Sequence, residues 1–331
     1  MAINQEWKIR TGGSRMDALV SLDRRTLVAF IIMILAGSGT PIAIRFTYGE
    51  MAPLWSGAAR FMTGAVISWC LMFVFKLQMP KGRALIGSFL FGSLSIGGAY
   101  VLICWGLMKT TASLYQVLMA LIPLLTLFFA SVHGLEPLTR RGLIGSVLAV
   151  VGIAIAIGSS SGVEVAIPHF LAIIIAAGLM AEAGVVVKRY PRSHPISTTA
   201  VAMTVGSMIL GVTSLLRGER WVIPTQVETW LGFGYLILIS NLVSYLLFLF
   251  ILKRWTASRT SYSFVVAPLV TVLLATSLAG EQIGWNFMVG GVLVLSGVLF
   301  GALLSPRLRE SAHGAQPQAI REMSFHNPPC H

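Results

Sequence analysis

The chain has 331 residues, of which 56% are hydrophobic and only 11% charged, and it carries a formal net charge of +12. Soluble domains carry about 25% charged residues, so this composition excludes an ordinary soluble enzyme and indicates a polytopic membrane protein. The positive charge requires no nucleic-acid partner, because the basic residues fall in short loops between apolar runs, and three cysteines are too few for a disulfide framework.

In chain order, residues 1–25 form a polar, basic segment. The pair Arg24-Arg25, the apolar stretch Leu27–Leu35 and the small residues Ala36-Gly37-Ser38 fit a cleavable signal, but the apolar run continues to Ile44 and is read as a retained span. Ten runs lie near the ~20 residues that a bilayer requires. They cover 26–44, 53–75, 84–108, 112–130, 140–158, 167–187, 196–216, 227–252, 258–279 and 284–304. Residues 305–331 lack apolar periodicity and read as a disordered cytoplasmic tail. His313, His326, Cys330 and His331 lie there without ligand spacing, so no metal is expected.

The third to fifth runs are written again in the eighth to tenth. A constant shift of 145 superposes residues 100–157 on 245–302 without a gap. It pairs Tyr100 with Tyr245, Thr111 with Thr256, Pro123 with Pro268, Thr126 with Thr271, Glu136 with Glu281, Gly145 with Gly290 and Gly152 with Gly297. Polar, proline and glycine matches in one register indicate a true duplication. With the N-terminus inside, inner segments hold nineteen Lys and Arg, while the outer ones hold four, Arg45, Lys109, Arg217 and Arg220. The positive-inside rule then places both termini in the cytoplasm. The copies are offset by five spans, an odd number, so equivalent helices run in opposite directions. The fold expected is an all-α integral membrane protein of ten transmembrane helices arranged as two inverted five-helix repeats, 26–158 and 167–304. In such architectures the solute site lies near the midplane between the repeats.

The stretch Gly106–Ile155, with Ala112-Ser113, Pro123, Glu136 and the Gly145/Gly152 pair, resembles the second half of an EamA-type repeat of the drug/metabolite transporter superfamily. Residues 251–300 resemble it more closely still, and Pro53 to Phe61, ending Ala59-Arg60-Phe61, is similar to the family's second helix. Two departures stand out. Helix 1 reads Ala36-Gly37-Ser38-Gly39 where the family usually carries Trp-Gly and a small or amide residue, and helix 6 has Met180 and Glu182 without the comparable Trp. The resemblance implies ten helices, both ends cytoplasmic, and a central cavity lined mainly by helices 1, 3, 4, 6, 8 and 9. It further implies transport of small organic metabolites, often outward.

Candidate site residues are the polar groups within spans. Glu182 lies six residues before Lys188, roughly 9 Å inside the interface at 1.5 Å per residue. A carboxylate at that depth needs a partner, water or a proton. It either binds solute or protons, or is a salt-bridged structural residue. Arg60 reads first as a structural arginine reaching backbone carbonyls or the outer interface, and second as an anion partner. Asn241, which Ser240 and Ser244 flank, and Gln116, near the start of helix 4 beside Tyr115, are amides that either bind solute or bond a neighbouring helix. Tyr100 and Tyr245 would form paired aromatic walls for planar or amphipathic solutes, or interhelical hydrogen bonds. Pro123 and Pro268 are paired hinges or static kinks, Glu136 and Glu281 compensate helix dipoles, and Trp7, Trp55, Trp221, Trp230 and Trp285 read as interface anchors.

No Walker loop, zinc-binding helix or nucleophile elbow occurs, so neither catalysis nor a cofactor is expected. The leading function is a secondary transporter in the cell (inner) membrane, exporting amino acids or related amphipathic solutes. The alternative is a passive channel or facilitator for small solutes. A membrane enzyme would need an acid or histidine cluster that the spans lack. The expected partners are a small-molecule substrate, the lipid bilayer and protons as a candidate coupling ion.

Overall fold

The computed structural model describes residues 24–135, 140–158, 167–191, 193–278, 284–298 and 300. Glu136, Glu281, the tail 305–331 and the basic segment before Arg24 lie outside them. The described residues form ten helical segments and no strand. These are α1 (Arg24–Thr47), α2 (Pro53–Val74), α3 (Arg83–Gly106), α4 (Ala112–Val132), α5 (Arg140–Gly158), α6 (Ile167–Arg189), α7 (Pro195–Leu216), α8 (Val227–Leu252), α9 (Ser263–Leu278) and α10 (Trp285–Val298). A single helical turn, Ala257–Ser261, leads into α9. Seven of the ten, α1 to α4 and α6 to α8, are long and apolar enough to cross a membrane.

Each helix is apolar on both sides, and burial separates a packed face from a lipid face. On α2, Phe61, Ala65, Ser68 and Met72 are buried, while Met62, Val66 and Phe73 are exposed. In hydrocarbon every backbone polar group needs an internal partner, and a set of buried hydroxyls follows the same rule. Ser38, Ser68, Ser95 and Thr126 each donate to the carbonyl four residues back, at 2.6 to 2.8 Å.

The packing repeats itself when the halves are exchanged. α2 packs on α7, and α5 on α10, each against its own equivalent. The contact of α3 with α6 recurs as α8 with α1, and that of α4 with α6 recurs as α9 with α1. The paired glycines explain the α5–α10 crossing. A Cβ at Gly152 would meet the Gly290 carbonyl oxygen at 2.7 Å, and one at Gly297 would meet that of Gly145 at 2.6 Å. Small residues of this kind let membrane helices approach backbone to backbone.

Several helices depart from α geometry where they approach the centre, α1, α3 and α8 among them. α3 carries a π-helical turn at Ser93–Gly98 and α8 one at Leu236–Val243. Shifted by 145, the first falls wholly within the second. π-turns free backbone groups and recur at functional sites. α1 is interrupted at Gly39, ahead of Pro41. Proline cannot donate to the carbonyl four residues back, and neighbouring helices supply donors at this break. Tyr235 Oη donates to the Ala36 carbonyl at 2.8 Å, and Thr271 Oγ1 to that of Ser38 at 2.7 Å. A Cβ at Gly39 would lie 2.6 Å from the Tyr235 hydroxyl, so this approach needs glycine.

On the side where α1 ends, two loop glutamates tie the halves together. Glu219 accepts from the Leu54 and Trp55 N–H groups at the start of α2, at 3.2 and 2.8 Å. Glu50 accepts from Thr225 N, Thr225 Oγ1 and Gln226 N, just ahead of α8, at 2.6 to 3.0 Å. Each carboxylate thus meets the orphan donors at a helix N-terminus. The hydrogen bonds to Thr225 hold the Glu50 carboxyl down at about 2. Trp55 and Trp221 stack at 4.3 Å over this region.

Candidate functional site

Between the halves lies a cavity of about 980 Å³, counted out to its open mouth. Its walls come from α1, α3, α4, α6, α8 and the α9 region, the six helices that the family resemblance implies. Equivalent positions of the two repeats line it together. Ser95 pairs with Ser240, Tyr100 with Tyr245, Gln116 with Ser261, Met119 with Phe264 and Ile122 with Ala267. Both π-turns reach the wall, through Ser95 and Ser240. Ser240 Oγ also bonds Thr40 Oγ1 at 2.7 Å, joining α8 to the start of the second half of α1.

Three of the sequence-predicted residues, Tyr100, Tyr245 and Gln116, line the cavity. The two tyrosines meet a common ring: Phe61 of α2, fully buried, lies edge-on to Tyr100 at 4.8 Å and to Tyr245 at 6.1 Å. Phe91 continues the aromatic wall, 6.1 Å from Tyr245 and stacked on Phe248. Asn241 is fully buried in the π-turn of α8 beside Ser240, is not among the lining residues, and neither amide atom has a hydrogen-bond partner. Pro123 opens the second half of α4, directly after a break at Ala120-Leu121, whereas Pro268 sits inside an unbroken α9.

Glu182 is separate from the cavity wall, although its neighbour Ala181 and its repeat equivalent Gly37 both line it. Its Oε1 lies 2.8 Å from Nε2 of His133, at the end of α4. Arg189 Nη1 lies 2.9 Å from the other ring nitrogen, Nδ1. Since arginine only donates, Nδ1 is the acceptor and Nε2 carries the proton toward the carboxylate. The result is an Arg189–His133–Glu182 chain linking α4 to α6, with Glu182 Oε2 unpartnered. Sequence reasoning missed His133, because nothing local marks a histidine 49 residues away as the partner of Glu182. It also missed Ser95, Ser240 and Ser261. Extending the 145 shift five residues upstream of Tyr100 pairs Ser95 with Ser240.

The cavity is not symmetric along the membrane normal. Gly184, Phe248, Ala257 and Ser263 line it, while their equivalents Gly39, Ile103, Ala112 and Leu118 do not. It therefore extends toward the end where α6 and α8 finish, with Lys188, Arg189 and Lys253. At the opposite end Ile42, Ala112 and Ala275 form a buried apolar cluster. Among the described residues, no charged side chain lines the cavity. Among the described residues, no group of three His, Cys, Asp or Glu could hold a metal ion.

Comparisons with known proteins agree with this architecture. The sequence profile of the EamA-like transporter family matches residues 24–158 and again 168–302. YedA, an uncharacterized inner membrane transporter of Escherichia coli K12, is 27% identical over 282 residues, covering 82% of this chain and 88% of YedA. YyaM, an uncharacterized transporter of Bacillus subtilis 168, is 28% identical over 265 residues, covering 77% of this chain and 86% of YyaM. A probable amino-acid metabolite efflux pump of Salmonella typhimurium LT2 is 23% identical, covering 82% of this chain and 92% of the pump. A crystal structure with 18% sequence identity superposes with a TM-score of 0.66, covering 86% of this chain and 99% of that one, a likeness of fold.

Proposed function

Because the chain belongs to the EamA-like transporter family, which matches it over both halves, we propose that it is a secondary transporter exporting small organic metabolites, amino acids or related amphipathic solutes, by alternating access. The observation that carries this reading is the cavity whose two sides are built from equivalent residues of the repeats, Ser95 with Ser240 and Tyr100 with Tyr245. A site on a pseudo-two-fold axis can be presented to either side by exchanging the conformations of the halves. The name of the Salmonella pump supports the solute class. The positive-inside rule puts Arg24, Lys188 and Lys253 in the cytoplasm, together with both termini, residues 1–25 and 305–331. The asymmetric cavity then opens toward the cytoplasm and its outer end is closed by Ile42, Ala112 and Ala275, the state in which an exporter loads.

In this reading the repeats 26–158 and 167–304 are the moving units. Tyr100, Tyr245 and Gln116 contact the solute, Asn241 braces the π-turn behind Ser240, and Pro123 and Pro268 are the paired bends. Protons are the coupling ion, and Glu182 is their acceptor. A proton on Glu182 removes the charge that holds His133, loosening α4 from α6 next to the cavity. No bond is made or broken in the solute. The test is transport by purified protein in proteoliposomes, screening labelled metabolites with and without a pH gradient. Accumulation against the solute's own gradient supports a transporter; flux that only equilibrates supports a passive facilitator.

A further inference from the structure

A buried cation behind the cavity wall has no counterion among the described residues. Arg60 of α2 is 1% exposed, and its Nε, Nη1 and Nη2 all lack hydrogen-bond partners. Its guanidinium carbon lies 4.9 Å from the ring centre of Phe61 and 4.7 Å from that of Tyr100. These rings offer cation–π attraction but no acceptor for any N–H. Arginine stays protonated at every accessible pH, so it cannot relieve its burial by losing charge. Glu219, at the start of α2, directs its two oxygens to Leu54, Trp55 and Ser214. Glu182 faces His133.

Other unsatisfied polar atoms lie around the same rings. Tyr245 Oη meets no partner other than the Tyr100 side chain, and Phe61 touches both tyrosines. α2 packs against the π-turn that carries Asn241, whose amide is unsatisfied at both atoms. A buried guanidinium fork without an acceptor, reached from the cavity past the Tyr100 ring, has the donor geometry for a planar anion with two oxygens. One guanidinium balances one negative charge, and among the described residues no charged side chain lines the cavity itself. A dianion would remain half uncompensated, and an ammonium would find no carboxylate. Much of the rest of the wall is apolar and aromatic, with Met33, Met119, Phe91 and Phe264, interrupted by hydroxyls such as those of Ser95, Ser240 and Ser261.

We infer that Arg60 is the anion-binding end of the solute cavity, and that the transported class is amphipathic monocarboxylates. The apolar body lies between the aromatic walls, and the carboxylate displaces the edge of Tyr100 to sit on the guanidinium fork. This rests on the transporter reading of the cavity and narrows it.

The test uses three probes that share a ring and differ in head group: phenylacetate, phenylacetamide and phenethylamine. Binding is read on the purified full-length protein as the ligand-dependent rise in its thermal unfolding midpoint. Phenylacetate is expected to raise the midpoint in a saturable way, and the amide and amine at equal concentration to leave it unchanged. Arg60→Met should weaken phenylacetate binding at least tenfold, and Arg60→Lys, which keeps the charge without the fork, should weaken it less. Equal shifts from all three probes, no shift from phenylacetate, or undiminished binding to Arg60→Met would each overturn the inference. The probe series on the unmodified protein decides the matter even where Arg60→Met does not fold. The two readings fail separately in proteoliposomes. Flux of phenethylamine or of a neutral solute, without phenylacetate binding, removes the anion site and leaves the transporter. Absence of flux for every screened metabolite removes the transporter reading itself.

Discussion

Replacing Gly152 by alanine tests the duplication through the crossing of its paired glycines. The new Cβ would lie 2.7 Å from both the Gly290 carbonyl oxygen and the Val294 nitrogen, against 3.4 Å or more for ordinary contact. Both atoms are backbone and cannot rotate away, so α5 and α10 must part by about 0.7 Å at the crossing. Overpacking of a close interface costs about 1–3 kcal/mol. Alanine's better helix propensity, roughly 0.8–1.0 kcal/mol over glycine, works the other way. Gly291 supplies the control, because it sits in α10, the helix of Gly290 and Gly297, with nothing within 4 Å of its would-be Cβ. Gly291→Ala should therefore unfold at the same temperature as the parent or higher. Gly152→Ala and Gly297→Ala should both be less stable than that control, by about 1–3 kcal/mol. The double variant should cost less than the sum, since one separation of the helices relieves both clashes. Thermal unfolding in a single detergent measures all four. Gly152→Ala as stable as Gly291→Ala would refute the packing and the symmetry drawn from it.

Tyr100→Ala and Tyr245→Ala should each change solute preference in a competition assay while the protein still reaches the membrane; lower thermal stability with unchanged preference would make them packing residues only. Glu182→Gln should preserve solute exchange down its own gradient and abolish accumulation driven by a pH gradient, and parental behaviour in both assays would remove Glu182 from coupling. The lowered pKa of Glu50 means that its ionised form is favoured in the folded state. Its contribution is complete above the ordinary glutamate value, roughly 4.3, and is lost as pH falls toward about 2. Between those limits Glu50→Gln should flatten the acid-induced loss of structure read by tryptophan fluorescence, and an unchanged acid transition would separate Glu50 from the stability of these loops.

The helical architecture was legible because a bilayer demands long apolar runs and because the duplication left its polar, proline and glycine marks in one register. The glycine pairs were visible as a pattern, and the structure supplies their reason, a backbone-to-backbone crossing of α5 and α10. Tyr100, Tyr245 and Gln116 could be picked out as polar-capable groups within spans. Ser95, Ser240 and Ser261 could not, since a serine bonding back to its own helix reads the same as one lining a cavity. The π-turns were hidden too, because a shift from one carbonyl to the next leaves no trace in composition. Depth alone marked Glu182, and depth does not say which way a carboxylate points. The structure turns it toward His133, contributed by another span.

The central claim is that the cavity between the repeats is the solute pathway. Its most direct test is counterflow in proteoliposomes with single cysteines at Ser95 and Ser240, in a protein whose Cys70, Cys104 and Cys330 have been replaced. Alkylation at either position should stop counterflow, and solute present during the reaction should protect both, because equivalent residues of the two repeats meet the same solute. Counterflow that continues at the parental rate after complete alkylation of both would contradict the account.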